Sequence, residues 1–394
     1  MTFFRSFRND RITSESGKIP SRLTANGNGE IKCVILTDSF EEAKRGLMPY
    51  SSCIVRSYPF ISAFGAQINV HTVRDLERLP FVKAIAAHTT VTATAAETPT
   101  AATTESSVSR AANPRRSERS YGAGVGVAVI DTGVAEHLDL VAPKIRIVRF
   151  EDFLKGEESP YDDNGHGSAV AGLIAGNGIL SCGECRGSAP AADIIALKAM
   201  NEKGEGSAFH ILEAMQWVFS NREKYNIKVV CMSFGTEASS TADPLVLGAE
   251  ALWRSGVTVV ASAGNSGPLP GSVTSPGICP EIITVGAVGY NDNKPFVPEF
   301  SSRGAPDSPI KPELVAPGVD ACCIGAAERY VRLSGTSMAA PTVAGYCADI
   351  FARNPDFTPD KIKEILVTRA AGLGLPGSGY GLCTLPEEFV RLSL

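Results

Sequence analysis

The hydrophobic pattern of the chain changes character twice. Residues 1–28 are polar and without period, and read as a disordered N-terminus. The next stretch is short-range and mixed. Ile31–Thr37 (IKCVILT), Ile61–Val70 (ISAFGAQINV) and Val82–Thr92 read as strands, while Phe40–Lys44 and Val73–Leu79 read as helices. Together they predict a small α+β domain over residues 29–94. Residues 95–120 are dominated by Ala, Thr and Ser, with Pro99, Pro114 and a basic patch of Arg110, Arg115, Arg116 and Arg119. Such a segment has too few large apolar side chains to bury, and is expected to be a linker.

From Gly124 the pattern settles into repeated strand, loop and helix. Val125–Ile130, Ile194–Lys198, Lys228–Ser233, Val257–Ala261 and Ile282–Val285 predict strands. Several are nearly continuous apolar runs, as expected where helices cover both faces of a sheet. Gly167–Ala175, Ala208–Asn221, Leu245–Ser255, Thr336–Phe351 and Pro359–Thr368 predict helices. This alternation over residues 121–394 argues for an α/β domain built on a doubly wound, mostly parallel sheet. In such sheets the ligand site lies at the carboxyl ends of the strands.

Composition narrows the function classes. With 37 basic and 42 acidic residues the formal charge is −5, which gives no electrostatic case for nucleic acid. No apolar run approaches the roughly 18 residues of a membrane span. Arg5, Arg8 and Arg11 interrupt every stretch that could serve as the core of a secretory signal. The expectation is a cytoplasmic protein, or one exported by a route the sequence does not mark. Ten cysteines in a chain of this kind predict free thiols. Cys182-Gly-Glu-Cys185 has the spacing of a metal or redox pair but no second pair to complete a zinc site, so its plain reading is a surface loop with two thiols.

Four motifs fall at predicted strand ends or helix starts. Asp131 follows the run VGVAVI and opens Asp131-Thr132-Gly133. His166 lies between glycines at the start of a small-residue helix, a setting suited to a general base. Ser337, in Gly335-Thr336-Ser337-Met338-Ala339, begins a long helix, where a free backbone N–H and the helix dipole favour negative charge. Asn265, in Ala263-Gly264-Asn265-Ser266-Gly267, puts an amide donor at a strand end, as an oxyanion hole requires. Taken singly, each has a plainer reading: a turn aspartate, a satisfied loop histidine, an N-cap serine, a turn asparagine.

Taken together they share one predicted sheet edge, and the order Asp…His…Ser is that of subtilisin rather than of chymotrypsin or the α/β-hydrolases. Residues from about Gly122 to about Leu382 resemble the subtilisin-like serine proteases, most closely the intracellular bacterial ones. The resemblance implies a serine endopeptidase in which Asp131 orients His166, His166 takes the proton of Ser337, and Asn265 holds the oxyanion. It implies that Ser233-Phe234-Gly235 and Ser262-Ala263-Gly264 form the two walls of the substrate pocket. Their small residues are expected to leave it open to a sizeable apolar or aromatic side chain, with Phe234, where leucine is common, narrowing it. No cofactor is needed for this chemistry. The family often carries structural calcium, although no acidic cluster here is assigned to it. The expected partners are protein or peptide substrates. By pattern and position, residues 29–94 are similar to the family's inhibitory propeptide, which makes the chain a self-processing zymogen cut near Thr94–Ala95.

Three other classes compete. A catalytically silent subtilase-fold regulator would have lost a triad member, and all three are present. An α/β-hydrolase would need its serine before the acid and the histidine, and here the serine comes last. A single Asp-Thr-Gly leaves an aspartic protease without its second carboxylate.

Overall fold

The computed structural model describes residues 30–93, 96–97, 121–236, 243–305, 310–325 and 328–385. The predicted N-terminal disorder, nearly all of the predicted linker and the expected cut at Thr94–Ala95 lie outside the described residues. The chain divides into two compact units, Met1–Thr89 and Thr90–Leu394.

In the first unit, four antiparallel strands run in the order β2-β3-β1-β4, namely β1 (Glu30–Thr37), β2 (Ile54–Tyr58), β3 (Ala63–Asn69) and β4 (Val82–Ala87). Helices α1 (Phe40–Gly46) and α2 (Val70–Glu77) supply Ala43, Val73 and Leu76 to a core shared with Ile31, Cys33, Ile35, Phe64, Ala66 and Ile68. Asn69 starts α2, its side-chain oxygen accepting from the Thr72 N–H at 2.9 Å. The run Val82–Thr92 is not one strand: it breaks at His88–Thr89, where the His88 N–H turns to the Lys32 carbonyl.

The second unit opens with β5 (Thr90–Ala93) and β6 (Ala96–Glu97). Its centre is a parallel sheet of β7 (Gly126–Asp131), β8 (Ile147–Asp152), β9 (Asp193–Lys198), β11 (Ile227–Met232), β13 (Thr258–Ser262), β14 (Ile283–Asn291), β16 (Leu314–Pro317) and β19 (Gly381–Leu382). They lie in the order β19-β16-β14-β13-β11-β7-β9-β8, with β15 (Lys294–Phe296) antiparallel on β14. Helices α3 (Leu138–Val141), α4 (His166–Ala175), α5 (Ala208–Asn221), α6 (Pro244–Arg254), α7 (Thr336–Arg353) and α8 (Pro359–Thr368) connect and flank it. All of β7 and β13 is buried, which is why both read as unbroken apolar runs. Helix α7 packs on β11, β13, β14 and α4 and is buried along most of its length, its Ala and Gly positions allowing close approach.

Two small sheets complete the unit. Strand β5 lies antiparallel between β10 (Glu205–Ser207) and β12 (Phe234–Gly235). Strand β6 pairs with β18 (Tyr330–Ser334), which also pairs with β17 (Ala321–Ile324).

The expectation of free thiols fails at one place. Cys185 is disulfide-bonded to Cys322, 137 residues away. Folding brings β17 beside α4 and the loop that follows it, a proximity no spacing along the chain announces. Cys182 remains free and exposed, so the Cys182–Cys185 loop does not hold two thiols. Among the described residues, no helix is long and apolar enough to cross a membrane, and no three His, Cys, Asp or Glu side chains cluster to hold a metal ion.

Candidate active site

Asp131 ends the central strand β7, so the strand's direction delivers its carboxylate to the carboxyl edge of the sheet. The side chain is 1% exposed. Its Oδ1 accepts from the Thr132 N–H at 2.7 Å and lies 2.7 Å from His166 Nδ1. His166 is the first residue of α4, held there by the left-handed turn at Gly165. Gly167 permits the approach: a Cβ at that position would lie 2.1 Å from the Gly133 carbonyl oxygen and 3.0 Å from Asp131 Cβ. Burial alone would lower the His166 pKa. The charge and hydrogen bond of Asp131, with the charge of Asp162 beyond, outweigh it and raise the imidazole above its ordinary value.

Asp162 is a site residue that the motif reading missed. Its Oδ1 accepts from Thr132 Oγ1, Asn164 N and Gly165 N, and its Oδ2 from the Ser168 N–H and hydroxyl, all at 2.8–3.1 Å. Thr132 Oγ1 in turn accepts from the Gly167 N–H at 2.9 Å. One carboxylate thus staples the turn after β7 to the first turn of α4, fixing Asp131 against His166. Below it, the fully buried Lys198 donates to the Thr132 and Met200 carbonyls and to Asp163. The acidic pair Asp162-Asp163 just before Asn164-Gly165-His166 was the available signal.

Ser337 is the second residue of α7 and is fully buried. Its hydroxyl donates to the Ser233 carbonyl at 2.8 Å, and Ser233 Oγ donates back to the Ser337 carbonyl at 3.1 Å. That carbonyl is available because Pro341, four residues on, has no N–H to offer it. Asn265 follows β13. Its Oδ1 accepts from the Thr336 N–H at 3.0 Å and the Thr336 hydroxyl at 2.9 Å, while Thr336 Oγ1 accepts from the Gly264 N–H at 3.1 Å. The amide is therefore oriented by its oxygen and fixed beside the start of α7.

The predicted walls are also placed. Ser233, Phe234, Ser262 and Ala263 are buried, and Ser262 Oγ donates to the Phe234 carbonyl at 3.4 Å. The Phe234 side chain belongs to the core, and what β12 presents to β5 is its backbone, in the register Phe234↔Ala93 and Gly235↔Thr92.

The chain is similar to known proteins over most of its second unit. A model described as the subtilase family matches residues 122–382. Serine protease AprX of Bacillus subtilis is 38% identical over 278 residues, which cover 64% of this chain and 62% of AprX. The thermostable alkaline protease of Halalkalibacterium halodurans is 32% identical over 84% of each chain. Among solved structures, sphericase superposes with a TM-score of 0.58 at 30% identity, covering 67% of this chain and 92% of its own.

Proposed function

The chain belongs to the subtilase family, and on that footing we propose that it is a serine endopeptidase working through Asp131, His166 and Ser337. The observation that carries the reading is the buried 2.7 Å contact between Asp131 Oδ1 and His166 Nδ1, at the same sheet edge that receives Ser337 and Asn265. An Nδ1–H bonded to the carboxylate leaves Nε2 as the basic nitrogen of the ring. His166 Nε2 then removes the Ser337 proton as Oγ leaves Ser233 and attacks the scissile carbonyl. Negative charge develops on the carbonyl oxygen and is received by the Ser337 N–H and by Asn265 Nδ2. Collapse passes the proton from His166 to the departing amine and leaves an acyl-enzyme, which water resolves through the same base.

The same reading makes the chain a zymogen. Its support is that β5 already lies as a third strand between β10 and β12, in the manner of a bound peptide. Strand β6 pairs with β18 in the register Ala96↔Ser334 and Glu97↔Leu333, just before the nucleophile. Thr94 and Ala95, outside the described residues, join the two in sequence. We take residues 29–94 as the inhibitor and this junction as the cut.

Wild type and Ser337→Ala, followed by intact mass and by casein hydrolysis, test both parts. Wild type is expected to shorten by roughly its first 94 residues and digest casein, with the variant full length and inert. Active wild type that stays full length refutes the zymogen. An inert wild type that stays full length refutes the protease.

A further inference from the structure

Cys182-Gly183-Glu184-Cys185 has the spacing of a dithiol pair, and its second member is already bridged, to Cys322 of β17. Its first member, Cys182, is free and exposed. An open thiol thus stands three residues from one sulfur of a disulfide. The loop that carries both folds back on itself. The Cys182 N–H donates to the Ile179 carbonyl at 3.4 Å, the Gly183 N–H to the Gly178 carbonyl at 2.8 Å and the Glu184 N–H to the Ser181 carbonyl at 3.1 Å. The Cys185 N–H donates to Ser181 Oγ at 3.0 Å. Successive turns therefore hold the two cysteines on one compact segment, where an extended chain would part them by roughly 10 Å. The other neighbouring thiol is no rival. Cys323 is 1% exposed, its Sγ faces Met338 Sδ at 3.5 Å, and burial pushes it up to about 12 with Arg332 opposing.

The bridge joins two segments that lead to the catalytic residues. Cys322 lies opposite Arg332 in the β17–β18 pair, and β18 ends at Ser334, just before Ser337. Cys185 lies in the loop after α4, whose first residue is His166. A second tie holds the same segments together without the sulfurs. The fully buried Asp139 accepts from the Tyr330 hydroxyl of β18 at 2.6 Å through Oδ2 and from the Leu180 N–H of the loop at 3.2 Å through Oδ1. The loop and the hairpin therefore stay apposed even when the bridge moves. Access differs as well: Cys185 is 7% exposed, so a reagent from solvent meets Cys182 before it meets that end of the bridge.

We propose that Cys182, Cys185 and Cys322 form a thiol–disulfide exchange site, in which Cys182 takes over the bridge from Cys322 and presents it to small dithiols in solution. Cys182 gives up its proton and attacks Cys185 Sγ. The Cys182–Cys185 bond forms as the Cys185–Cys322 bond breaks, and the electron pair leaves on Cys322 Sγ, which takes up a proton. One disulfide replaces another, so nothing is oxidised or reduced overall. A small dithiol then reduces the local bridge to two thiols and closes into its own cyclic disulfide. Exchange replaces a tie across 137 residues by one within a single turn, and frees β17 from the loop after α4. The inference does not depend on the protease reading.

The test uses the full chain carrying Ser337→Ala, so that self-cleavage plays no part, with and without Cys182→Ser. Each protein is held folded at mildly alkaline pH while dithiothreitol is titrated in, quenched with acid, alkylated and mapped with trypsin without further reduction. Trypsin leaves Cys182 and Cys185 on one peptide, between Lys155 and Arg186, and Cys322 on another. The long bridge therefore appears as two linked peptides, and the exchanged bridge as one peptide lighter by two hydrogens. The protein with Cys182 is expected to show both forms. Cys182→Ser is expected to show the long bridge alone and to lose it to dithiothreitol at least about 10-fold more slowly, since attack is then confined to the two bridged sulfurs. Absence of the exchanged peptide throughout the titration overturns the inference, and so does a Cys182→Ser protein that loses its bridge as fast as the parent. Should Cys182→Ser fail to fold, Cys182→Ala serves in its place, and the presence or absence of the exchanged peptide in the parent decides by itself.

Discussion

Asp131→Asn is the substitution whose consequences the geometry fixes best. Asp131 Oδ1 takes two donors, the Thr132 N–H and His166 Nδ1, at 2.7 Å each, and Oδ2 has no hydrogen-bond partner among the described residues. An asparagine has one oxygen to offer. With that oxygen in the Oδ1 place both donors stay satisfied, but an NH2 is buried without an acceptor at a cost of about 1–3 kcal/mol. The imidazolium formed during attack also loses its counter-charge. With the amide turned over, the NH2 donates to Nδ1, the ring proton moves to Nε2, and His166 cannot accept from Ser337. Either way the base is disabled. The expected loss is about 10⁴-fold in rate, or roughly 5 kcal/mol of barrier. The His166 pKa must also fall, because both Asp131 contributions that raise it are gone and burial remains. The first-order rate of self-cleavage, followed by intact mass, measures the rate loss without added substrate. A ¹³C-labelled imidazole titration measures the pKa. A folded variant that cleaves itself within tenfold of wild type, or whose His166 pKa does not drop, refutes the assigned role.

Three further outcomes follow from the same coordinates. Gly167→Ala places a Cβ against backbone rather than against a side chain that can yield, so it should cost about 1–3 kcal/mol in a urea melt and reduce activity by more than that loss explains; unchanged activity contradicts it. Replacing Cys185 and Cys322 by Ser opens a 137-residue span and should lower stability by about 2–5 kcal/mol, with dithiothreitol reproducing the shift in wild type only; a wild-type melt indifferent to reductant contradicts it. Burial pushes the thiols of Cys231, Cys279, Cys323 and Cys383 up to about 12 and that of Cys347 well above its ordinary value. Their folded pKa values are raised, so their contribution is complete below the unfolded value near 8.5 and is lost as pH rises. At pH 9.5 the loss is on the order of 1 kcal/mol per thiol, and several kcal/mol for the five together. Lys311, pushed down to about 8 by burial with Glu313 opposing, acts in the other sense between about pH 8 and 10.4 and offsets about 2 kcal/mol of it. Urea midpoints at pH 7.5 and 9.5 check this, and equal midpoints refute it.

What was legible in the sequence was what repeats locally. Strands β7, β11 and β13 are covered by helices on both faces, so burial wrote itself into unbroken apolar runs. Asp131, His166, Asn265 and Ser337 sit in glycine-rich motifs because the backbone must pass closely there, and those motifs survive as readable strings. Strand β8 went unread because it is an edge strand, with Val148 and Arg149 exposed and no periodic pattern to mark it. The break between β4 and β5 was invisible because both halves are plausible strands, and only their different partners separate them. Asp162 was closer to legible, since it directly precedes the histidine motif, but its five hydrogen bonds to three segments are a property of the turn and not of the string.

The account stands or falls on Ser337 being a nucleophile activated by His166. Labelling the processed protein with diisopropyl phosphorofluoridate and mapping the adduct by peptide mass spectrometry tests that directly. The account predicts one adduct, on Ser337, in wild type, and none on this residue in trans-processed His166→Ala. An adduct on another serine, or equal labelling of Ser337 without His166, contradicts it.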